Sequence, residues 1–377
     1  MVIYADNAAT TKLDKDAFEA MRPYLLEEYA NPSGAYSFSK NAKRALEEAR
    51  KTVAECINAE PEQIIFTSGG TESNNHAIKH FTISSDICHI VTSAIEHHSI
   101  LNACKNSGFE WFMLPVDSYG TVSADELEKV LGRHRSVIAS CDRTLVTIMT
   151  ANNEIGKIQP IKELAEITHR YGAIFHTDAV QAIGHIPIDV KAMEIDMLSA
   201  SAHKFNGPKG VGFLYSKNQS LQSYHCGGLQ EFGMRAGTEN VPAIVGMAVA
   251  VKKSIENMER NAKHLGHLSE VFLSVLQNSG VDYILNGHPT DRIPGNINIS
   301  FKDRSGEGLM HMLDLKGICI STGSACDNVN QQVSHVIKAI NVPDNYSEGT
   351  IRVTFGRDNT EQEAIDIANA LIKITRI

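Results

Sequence analysis

The chain has 377 residues, of which 42% are hydrophobic and 21% are charged, and its formal net charge is −9. This length favours two domains, and the composition excludes intrinsic disorder, a collagen-like chain and a small disulfide scaffold. The acidic balance argues against direct binding to nucleic acid or to an anionic membrane, because both attract basic surfaces.

The seven cysteines are scattered, and no two of them form a CxxC pair. Such usage is typical of proteins whose thiols stay reduced. Asp6 stands where a secretory signal would carry its apolar core, and no stretch approaches the roughly 18 apolar residues of a membrane span. We therefore expect a cytoplasmic protein. Because neither HExxH nor paired CxxC motifs occur, we expect no metal site.

In chain order, short apolar runs rich in β-branched residues alternate with longer helical patterns. The runs are nearly uninterrupted, as in strands that are buried on both faces of a sheet. The predicted strands are 63–68, 89–94, 144–151, 173–179 and 197–202, and the helical patterns cover 14–29, 40–57, 123–133 and 161–172. This alternation predicts an α/β fold with a mainly parallel sheet.

The pattern changes near residue 250. Residues 240–280 predict one very long helix or two in sequence, followed by short strands at 295–301, 317–323 and 350–356 and a closing helix from about 360 to 377. These elements predict a smaller α+β domain. We therefore predict a large domain at 15–255 and a small domain at 256–377, which also includes the N-terminal arm 1–14.

Lys204 ends the segment SAHK (201–204) at the carboxyl end of a predicted strand. A lone lysine at such a position is usually a surface residue. Here Ser201 and His203 accompany it, at the edge where α/β sheets bind their ligands. A desolvated lysine at such an edge is suited to Schiff-base chemistry.

Asp178 lies at the end of the preceding predicted strand, within HTDAVQ (176–181). It is either a helix N-cap or a carboxylate that pairs with a protonated pyridine nitrogen. Enzymes that use pyridoxal 5'-phosphate need both a lysine for the aldehyde and an acid for the ring nitrogen. Two such residues at successive strand ends therefore favour this cofactor.

The segment TSGGTESNN (67–75) predicts a strand, a Gly-Gly turn and a helix start. Backbone amides of Gly70 and Thr71, with the Thr71 hydroxyl and the helix dipole, are suited to bind a phosphate. The alternative is an ordinary capping box. The segment is neither a P-loop nor a dinucleotide fingerprint, because both patterns are absent.

Taken together, these motifs resemble those of the cysteine desulfurases of the NifS/IscS type, in the class V aminotransferase group of fold type I pyridoxal phosphate enzymes. The matches follow in order along the chain: DNAATT (6–11), NPSG (31–34), SGGTES (68–73), EHHS (96–99), NNEIG (152–156), HTDAVQ (176–181), SAHKFNGPKG (201–210), RAGTEN (235–240), STGSAC (321–326) and IRVTFGR (351–357).

The resemblance implies the function. It implies a homodimeric transferase that converts L-cysteine to L-alanine. It also implies that Cys326 carries the sulfur as a persulfide to an acceptor protein, for iron–sulfur cluster assembly or other thiolation.

The resemblance also implies a role for each matching residue. The implied cofactor residues are Lys204 for the aldehyde, Asp178 for the ring nitrogen, Gln181 for the ring oxygen, His97 for the ring face and for acid–base chemistry, and Gly70, Thr71, Ser201, His203 and the partner subunit's Thr238 for the phosphate. The implied substrate residues are Asn31, Asn153 and Arg352. For Arg352 the chemistry agrees independently, since a guanidinium binds a carboxylate through two parallel hydrogen bonds.

Cys326 is the predicted nucleophile. It lies in a polar stretch after a short apolar run, so we expect an exposed thiol on a mobile loop. The residues that follow, DNVNQQV, differ from the small Ser/Ala-rich stretch of the family, and Asp327 favours the neutral thiol. The similar loop length still favours the NifS/IscS group over the short-loop SufS group.

Two alternatives remain open at this stage. The first is an aminotransferase, or a lyase acting on selenocysteine or cysteine sulfinate, which would not need Cys326. The second is a non-catalytic scaffold that binds an iron–sulfur assembly partner.

Overall fold

A computed structural model describes residues 2–84, 89–137, 144–218, 221–322 and 333–376. The strands of its main sheet are β2 (Ile64–Thr67), β3 (His89–Ser93), β4 (Glu110–Leu114), β5 (Thr144–Thr147), β6 (Ile174–Asp178), β7 (Met197–Ser201) and β8 (Gly212–Ser216). Within the described residues, these seven strands are ordered β2-β8-β7-β6-β5-β3-β4. β8 is antiparallel to both of its neighbours, and the other pairs are parallel.

The five predicted strands of the first half correspond to β2, β3, β5, β6 and β7. The sequence analysis does not predict β4 and β8. β4 is at the edge of the sheet and has mostly exposed or half-buried residues, so it lacks the continuous apolar run of a buried strand. β8 is fully buried, but it follows directly on the Gly-rich turn after Lys204.

Helices cover both faces of this sheet. They are α1 (Lys15–Leu26), α2 (Lys40–Glu55), α3 (Gly70–Ser84), α4 (His98–Lys105), α5 (Ala124–Val137), α6 (Ile161–Arg170) and α7 (Val241–Glu256). On β2, Ile64 and Phe66 pack in a core with residues of α2, α6 and α7, whereas Ile65 packs with residues of α3 and α4. Since successive strand residues point to opposite faces, the sheet is buried on both sides.

A second core lies towards the end of the chain. Its elements are β1 (Ile3–Tyr4), α8 (Met258–Asn278), β9 (Tyr283–Leu285), β10 (Asn296–Phe301), α9 (Gly306–Asp314), β11 (Ile318–Cys319), β12 (Thr350–Thr354) and α12 (Glu361–Thr375), and the short helices α10 (His335–Ala339) and α11 (Asp344–Ser347) lie between β11 and β12. An antiparallel sheet in the order β12-β10-β9 packs against α8, α9 and α12. The N-terminal β1 pairs with β11 in parallel.

The helical region 240–280 forms two helices, α7 and α8, which meet at Asn257. The division of the chain after residue 255 falls at this junction, and as a domain boundary it stays a prediction. Among the residues that the structure describes, no helix is both long and apolar enough to cross a membrane.

Candidate active site

A cavity of about 660 Å³ opens at the carboxyl ends of β2, β6 and β7, beside the N-termini of α3 and α4. Parallel strands bring their carboxyl ends to one edge of a sheet, which is where open α/β sheets bind ligands. Its walls include ten of the predicted site residues: Gly70, Thr71, His97, Asn153, Asp178, Gln181, Ser201, His203, Lys204 and Arg352.

Lys204 lies in a short helical turn directly after β7. Its Nζ donates hydrogen bonds to the carbonyl oxygens of Ala8 (2.6 Å) and Ala9 (2.8 Å). Both acceptors are uncharged, so the amine is held in place without an ion pair at these contacts. The N-terminal arm therefore forms part of the lysine's surroundings.

Asp178 is the last residue of β6, and only 4% of it is exposed. One carboxylate oxygen accepts from the backbone N–H of Val180 at 2.9 Å, and the other accepts from Nδ2 of Asn74 at 2.7 Å. The first bond belongs to a turn, and the described residues 179–196 contain no helix that Asp178 could cap. The second fixes the carboxylate in the cavity wall, as the cofactor interpretation requires.

His97 is the N-cap residue of α4 and lines the cavity. Its Nδ1 accepts from the backbone N–H of Ser99 at 3.1 Å and lies 2.8 Å from the Ser99 hydroxyl. Burial lowers the pKa of His97 below its ordinary value, although the Asp178 charge acts in the opposite direction. The neutral imidazole is therefore favoured.

One end of the cavity is suited to an anion. The backbone turns through Gly69 (φ +147°) into α3, whose N-terminal Gly70 and Thr71 line the cavity. A Cβ on Gly70 would lie 2.5 Å from Val180 Cγ2, so only glycine fits here. Unpaired backbone N–H groups and the helix dipole at such a start favour negative charge.

Ser201 and His203 complete this end of the cavity. The Nδ1 of His203 lies 3.1 Å from the Thr10 hydroxyl. Burial, followed by the charges of Lys204 and Lys209, lowers the pKa of His203 to about 4. At neutral pH His203 is therefore uncharged and able to donate or accept one hydrogen bond at each ring nitrogen, according to its tautomer.

Arg352, on β12, reaches the opposite side of the cavity and is only 3% exposed. Its guanidinium donates to the Asn153 carbonyl at 3.0 Å and to Asp6 Oδ1 at 2.8 Å. Its buried Nε has no hydrogen-bond partner within the described structure. The guanidinium thus retains donor capacity for a carboxylate.

The sequence analysis misses the contribution of the N-terminal arm. The carbonyl of Ala8 accepts both from Lys204 and from Gln181 Nε2 (2.9 Å), and Asp6 pairs with Arg352. The arm therefore contacts both sides of the cavity. The DNAATT motif marks this segment, but its partners Gln181, Lys204 and Arg352 are far along the chain and two of them bind a backbone carbonyl, which a sequence does not reveal.

Asn74, Ser99 and Glu96 are further buried polar residues that the sequence analysis does not single out. Glu96 is fully buried directly before His97, and burial raises its pKa to about 8 even though Ser93 and Met149 donate to it. Their positions within the quoted segments TSGGTESNN (67–75) and EHHS (96–99) are the signal for them in the sequence.

Three predicted site residues do not line this cavity as the described chain forms it. Asn31 is exposed, and its side chain accepts from the Ser33 backbone. Thr238 is also exposed, two residues before the end of the loop that leads into α7. Cys326 lies outside the described residues, so its predicted role stays a prediction.

Comparison with known proteins agrees with this geometry. Residues 3–367 match the family model of class V aminotransferases. Cysteine desulfurase IscS of Dictyoglomus turgidum is 45% identical over 99% of this chain and 95% of the relative. Cysteine desulfurase IscS of Methanosarcina thermophila is also 45% identical, over 99% of this chain and 92% of the relative. A solved structure of a NifS-like protein superposes with a TM-score of 0.91 at 35% identity and covers 99% of both chains.

The cavity at the edge of a mainly parallel sheet and the full-length match define a class V aminotransferase. The chain belongs to this family and, within it, to the cysteine desulfurases. The predicted fold class, a fold type I architecture with a mainly parallel central sheet, is confirmed by its solved structural neighbours.

Proposed function

We propose that this protein is a pyridoxal 5'-phosphate-dependent cysteine desulfurase, which converts L-cysteine to L-alanine and carries the sulfur as a persulfide on Cys326. The observation that carries the proposal is the convergence of Lys204, the buried Asp178 and the N-terminus of α3 on one cavity. The relatives named IscS support the choice of reaction within the family.

The residues of the cavity fit this cofactor. The chemistry of the donor set matches an aldehyde (Lys204), a pyridine nitrogen (Asp178) and a phosphate at the glycine cradle of α3. The remaining contacts are assigned to His97 on the ring face, Gln181 at the ring oxygen, and Thr71, Ser201 and His203 at the phosphate. When bound, the cofactor supplies an electron sink for charge that develops on the substrate α-carbon.

The chain's own residues perform the other tasks. Asp178 keeps a proton on the ring nitrogen, because its carboxylate is fixed by Val180 and Asn74. Lys204, once free of the cofactor, removes the α-proton of the substrate as a general base. Arg352 binds the substrate carboxylate with the donor capacity that Asp6 and the Asn153 carbonyl leave unused. The Asn153 side chain is assigned to the same end of the substrate.

Cys326 accepts the sulfur. Its thiolate attacks the substrate sulfur, an S–S bond forms, and the C–S bond breaks with its electron pair on carbon. That carbon takes up one proton and becomes the methyl group of alanine. The persulfide on Cys326 is then passed to an acceptor protein, for iron–sulfur cluster assembly or another thiolation.

The proposal includes a homodimer in which Thr238 reaches the phosphate of the neighbouring copy. Thr238 is exposed, and its loop carries the exposed apolar side chains of Leu229 (88%) and Phe232 (56%). Val241, three residues after Thr238, packs with Tyr24 near the end of α1. That end adds further exposed apolar residues, namely Leu25, Leu26 and Tyr29. Large exposed apolar side chains in such numbers are typical of an interface.

Asn31 is exposed and lies two residues after Tyr29 in the sequence. Its substrate role is therefore proposed to depend on the assembled dimer. A cytoplasmic location completes the proposal.

The deciding experiment compares wild type with Cys326→Ala, by measuring alanine and sulfide released from L-cysteine in the presence of a reductant. Equal amounts from wild type and neither product from the variant would support the proposal. Cys226→Ala removes a different cysteine, which is exposed, so it serves as the matched control and should retain both activities. Full activity in Cys326→Ala would instead favour the lyase or aminotransferase alternative, and a colourless, inactive wild type would favour the scaffold.

A further inference from the structure

A chain of hydrogen bonds runs beneath the cavity from Asp178 to His97. Asn74 Nδ2 donates to Asp178 Oδ2 at 2.7 Å and to the Ser99 hydroxyl oxygen at 2.8 Å. That hydroxyl in turn lies 2.8 Å from His97 Nδ1. Asn74 is fully buried and Ser99 is 9% exposed, so bulk water has little access to these bonds.

The donor in each bond follows from the chemistry of the groups. An ionised carboxylate only accepts, so the Asn74 amide must turn its NH₂ group towards Asp178. The second N–H of that NH₂ group then donates to the Ser99 oxygen. The hydroxyl hydrogen of Ser99 is therefore left to donate to His97 Nδ1.

A second donor approaches the same nitrogen, since the backbone N–H of Ser99 lies 3.1 Å from His97 Nδ1. A backbone N–H cannot accept, so the hydroxyl and the backbone N–H together favour a lone pair rather than a proton on Nδ1. In a neutral imidazole the proton is then on Nε2, on the ring edge away from Ser99.

The surrounding charges do not reverse this preference. Lys204 and His98 disfavour a charged imidazole at His97, and the ring also caps the positive N-terminus of α4. Asp178 alone favours the charged form. From the second core, His335 approaches this region through its ring contact with His98.

We propose that Ser99 and Asn74 are positioning residues that lock His97 as a neutral imidazole with its proton on Nε2. Locked in this way, His97 acts towards the cavity as a hydrogen-bond donor, and proton acceptance falls to Lys204. The catalytic consequence rests on the proposed function, but the protonation state of His97 is a property of the chain itself and is measured separately.

The test is ¹⁵N NMR of the full-length protein as purified, labelled with [¹⁵N]histidine, with the His97 signals assigned by their loss in His97→Gln. The ¹⁵N shifts of the two ring nitrogens distinguish the tautomers and follow protonation with pH. Wild type should show the proton on Nε2 throughout the neutral range. Ser99→Ala removes the hydroxyl donor, so it should give mixed tautomers and raise the pKa of His97 by about 0.5 to 1 unit.

Two variants make the test specific. Ser99→Thr retains a hydroxyl and should restore the wild-type tautomer, which excludes a general disturbance of α4. Ser73→Ala removes another buried hydroxyl, one that contacts Thr67 at 2.8 Å, and should leave the His97 signals unchanged.

A proton on Nδ1 in wild type would overturn the proposal. So would unchanged His97 signals in Ser99→Ala, or an equal change in Ser73→Ala. Failure of the proposed function would be seen separately, as missing alanine formation alongside a readable histidine spectrum.

Discussion

Two charged side chains of the cavity wall, Asp178 and Lys204, contrast with two charged side chains of the loop 225–240, Glu231 and Arg235. In the cavity, Asp178 is held by an amide and a backbone N–H, and Lys204 by two carbonyls. In the loop, Glu231 and Arg235 each form an ion pair with a residue of opposite charge. Hydrogen bonds to neutral groups orient a charge without neutralising it, whereas the two ion pairs of the loop fix the loop to the rest of the protein.

Several buried contacts fix the loop 225–240 to the rest of the protein. Arg50 and Glu231 form two parallel hydrogen bonds of 2.7 Å while only 8% and 5% exposed, and Glu231 also accepts from the backbone N–H of Phe66 at 2.8 Å. The guanidinium lies over the rings of Phe66 (4.5 Å) and Phe232 (5.0 Å). Glu231 and Phe232 themselves have left-handed backbones (φ 46° and 60°), an unfavourable conformation that these contacts hold in place.

Arg235 ties the same loop to the N-terminus of α3. It donates to both carboxylate oxygens of Glu72, at 2.8 and 3.3 Å. Burial alone would raise the pKa of Glu72, but Arg235 and the bonds from Ser68 outweigh it and lower the pKa to about 2. A loop fixed so firmly at its base, yet exposing Leu229 and Thr238, is consistent with an outward binding role.

The largest effect is expected for Lys204→Ala, which tests the cavity alone. Alanine formation should fall by about 10³- to 10⁴-fold, because general-base and covalent chemistry both depend on this amine. The melting temperature should change little, since Lys204 lines the cavity and its Nζ donates to backbone carbonyls of the N-terminal arm. A large fall in melting temperature would mean that Lys204 also stabilises the fold, as Glu231 and Arg235 are expected to do.

The next effect tests the loop. Glu231→Gln should lower the free energy of unfolding by about 3 to 5 kcal/mol, because it leaves the buried Arg50 charge without its partner. Denaturant unfolding measures this difference. Arg50→Met combined with Glu231→Met removes both charges and should cost less than the single change. A single variant as stable as wild type would mean that the ion pair is not the anchor.

Glu96→Gln tests a third way of holding a carboxyl group, in which burial keeps it neutral. The folded protein binds the Glu96 proton up to pH about 8, whereas the ordinary pKa is 4.5. The folded state therefore holds more protons between these values, and stability falls with rising pH by up to about 1.4 kcal/mol per unit. Unfolding of Glu96→Gln at pH 5 and pH 8 should show a weaker fall than wild type. Identical pH dependence in the two proteins would exclude Glu96 as its source.

Thr238→Ala sharpens the comparison at the exposed end of the loop. Loss of one hydrogen bond to a phosphate should weaken cofactor retention by about tenfold. Equilibrium dialysis measures this, and the effect should vanish at protein concentrations where the dimer dissociates. A loss that is independent of protein concentration would argue against a contact between subunits.

The smallest effect is expected for Thr360→Ala, far from both regions in the sequence. Thr360 and Glu363 form a capping box at the start of α12. Its loss should lower the unfolding free energy by about 1 kcal/mol and leave kcat unchanged. A change in kcat would show that this helix cap affects catalysis as well as stability.

Much of the fold and part of the site could be predicted from the sequence. The uninterrupted apolar runs identify the buried strands, because both faces of the sheet are covered. Asp178 and Lys204 could be paired in advance because β6 and β7 are parallel neighbours, with Asp178 opposite Ser199 in the register. The glycine turn before α3 and the helix that begins after Thr360 are also predictable, because each depends on residues that are adjacent in the sequence.

Other features could not be predicted, because their partners are far apart in the sequence. Asn74 meets Asp178 across 104 positions, and Asp6 meets Arg352 across 346. Neither pair follows a helical or strand period, so no local pattern announces it. The sequence does not predict β8 for a similar reason, because its antiparallel direction is set by pairing with its neighbours β2 and β7.

Local periodicity and turn chemistry depend on neighbouring residues, so the side chains at the strand ends and helix starts can be placed from the sequence. The partners of those side chains are a property of the tertiary fold. Asp178 and Lys204 contact neutral groups, whereas Glu231 and Arg235 form ion pairs. These contacts depend on which distant segment packs against each group, and no local pattern specifies that segment.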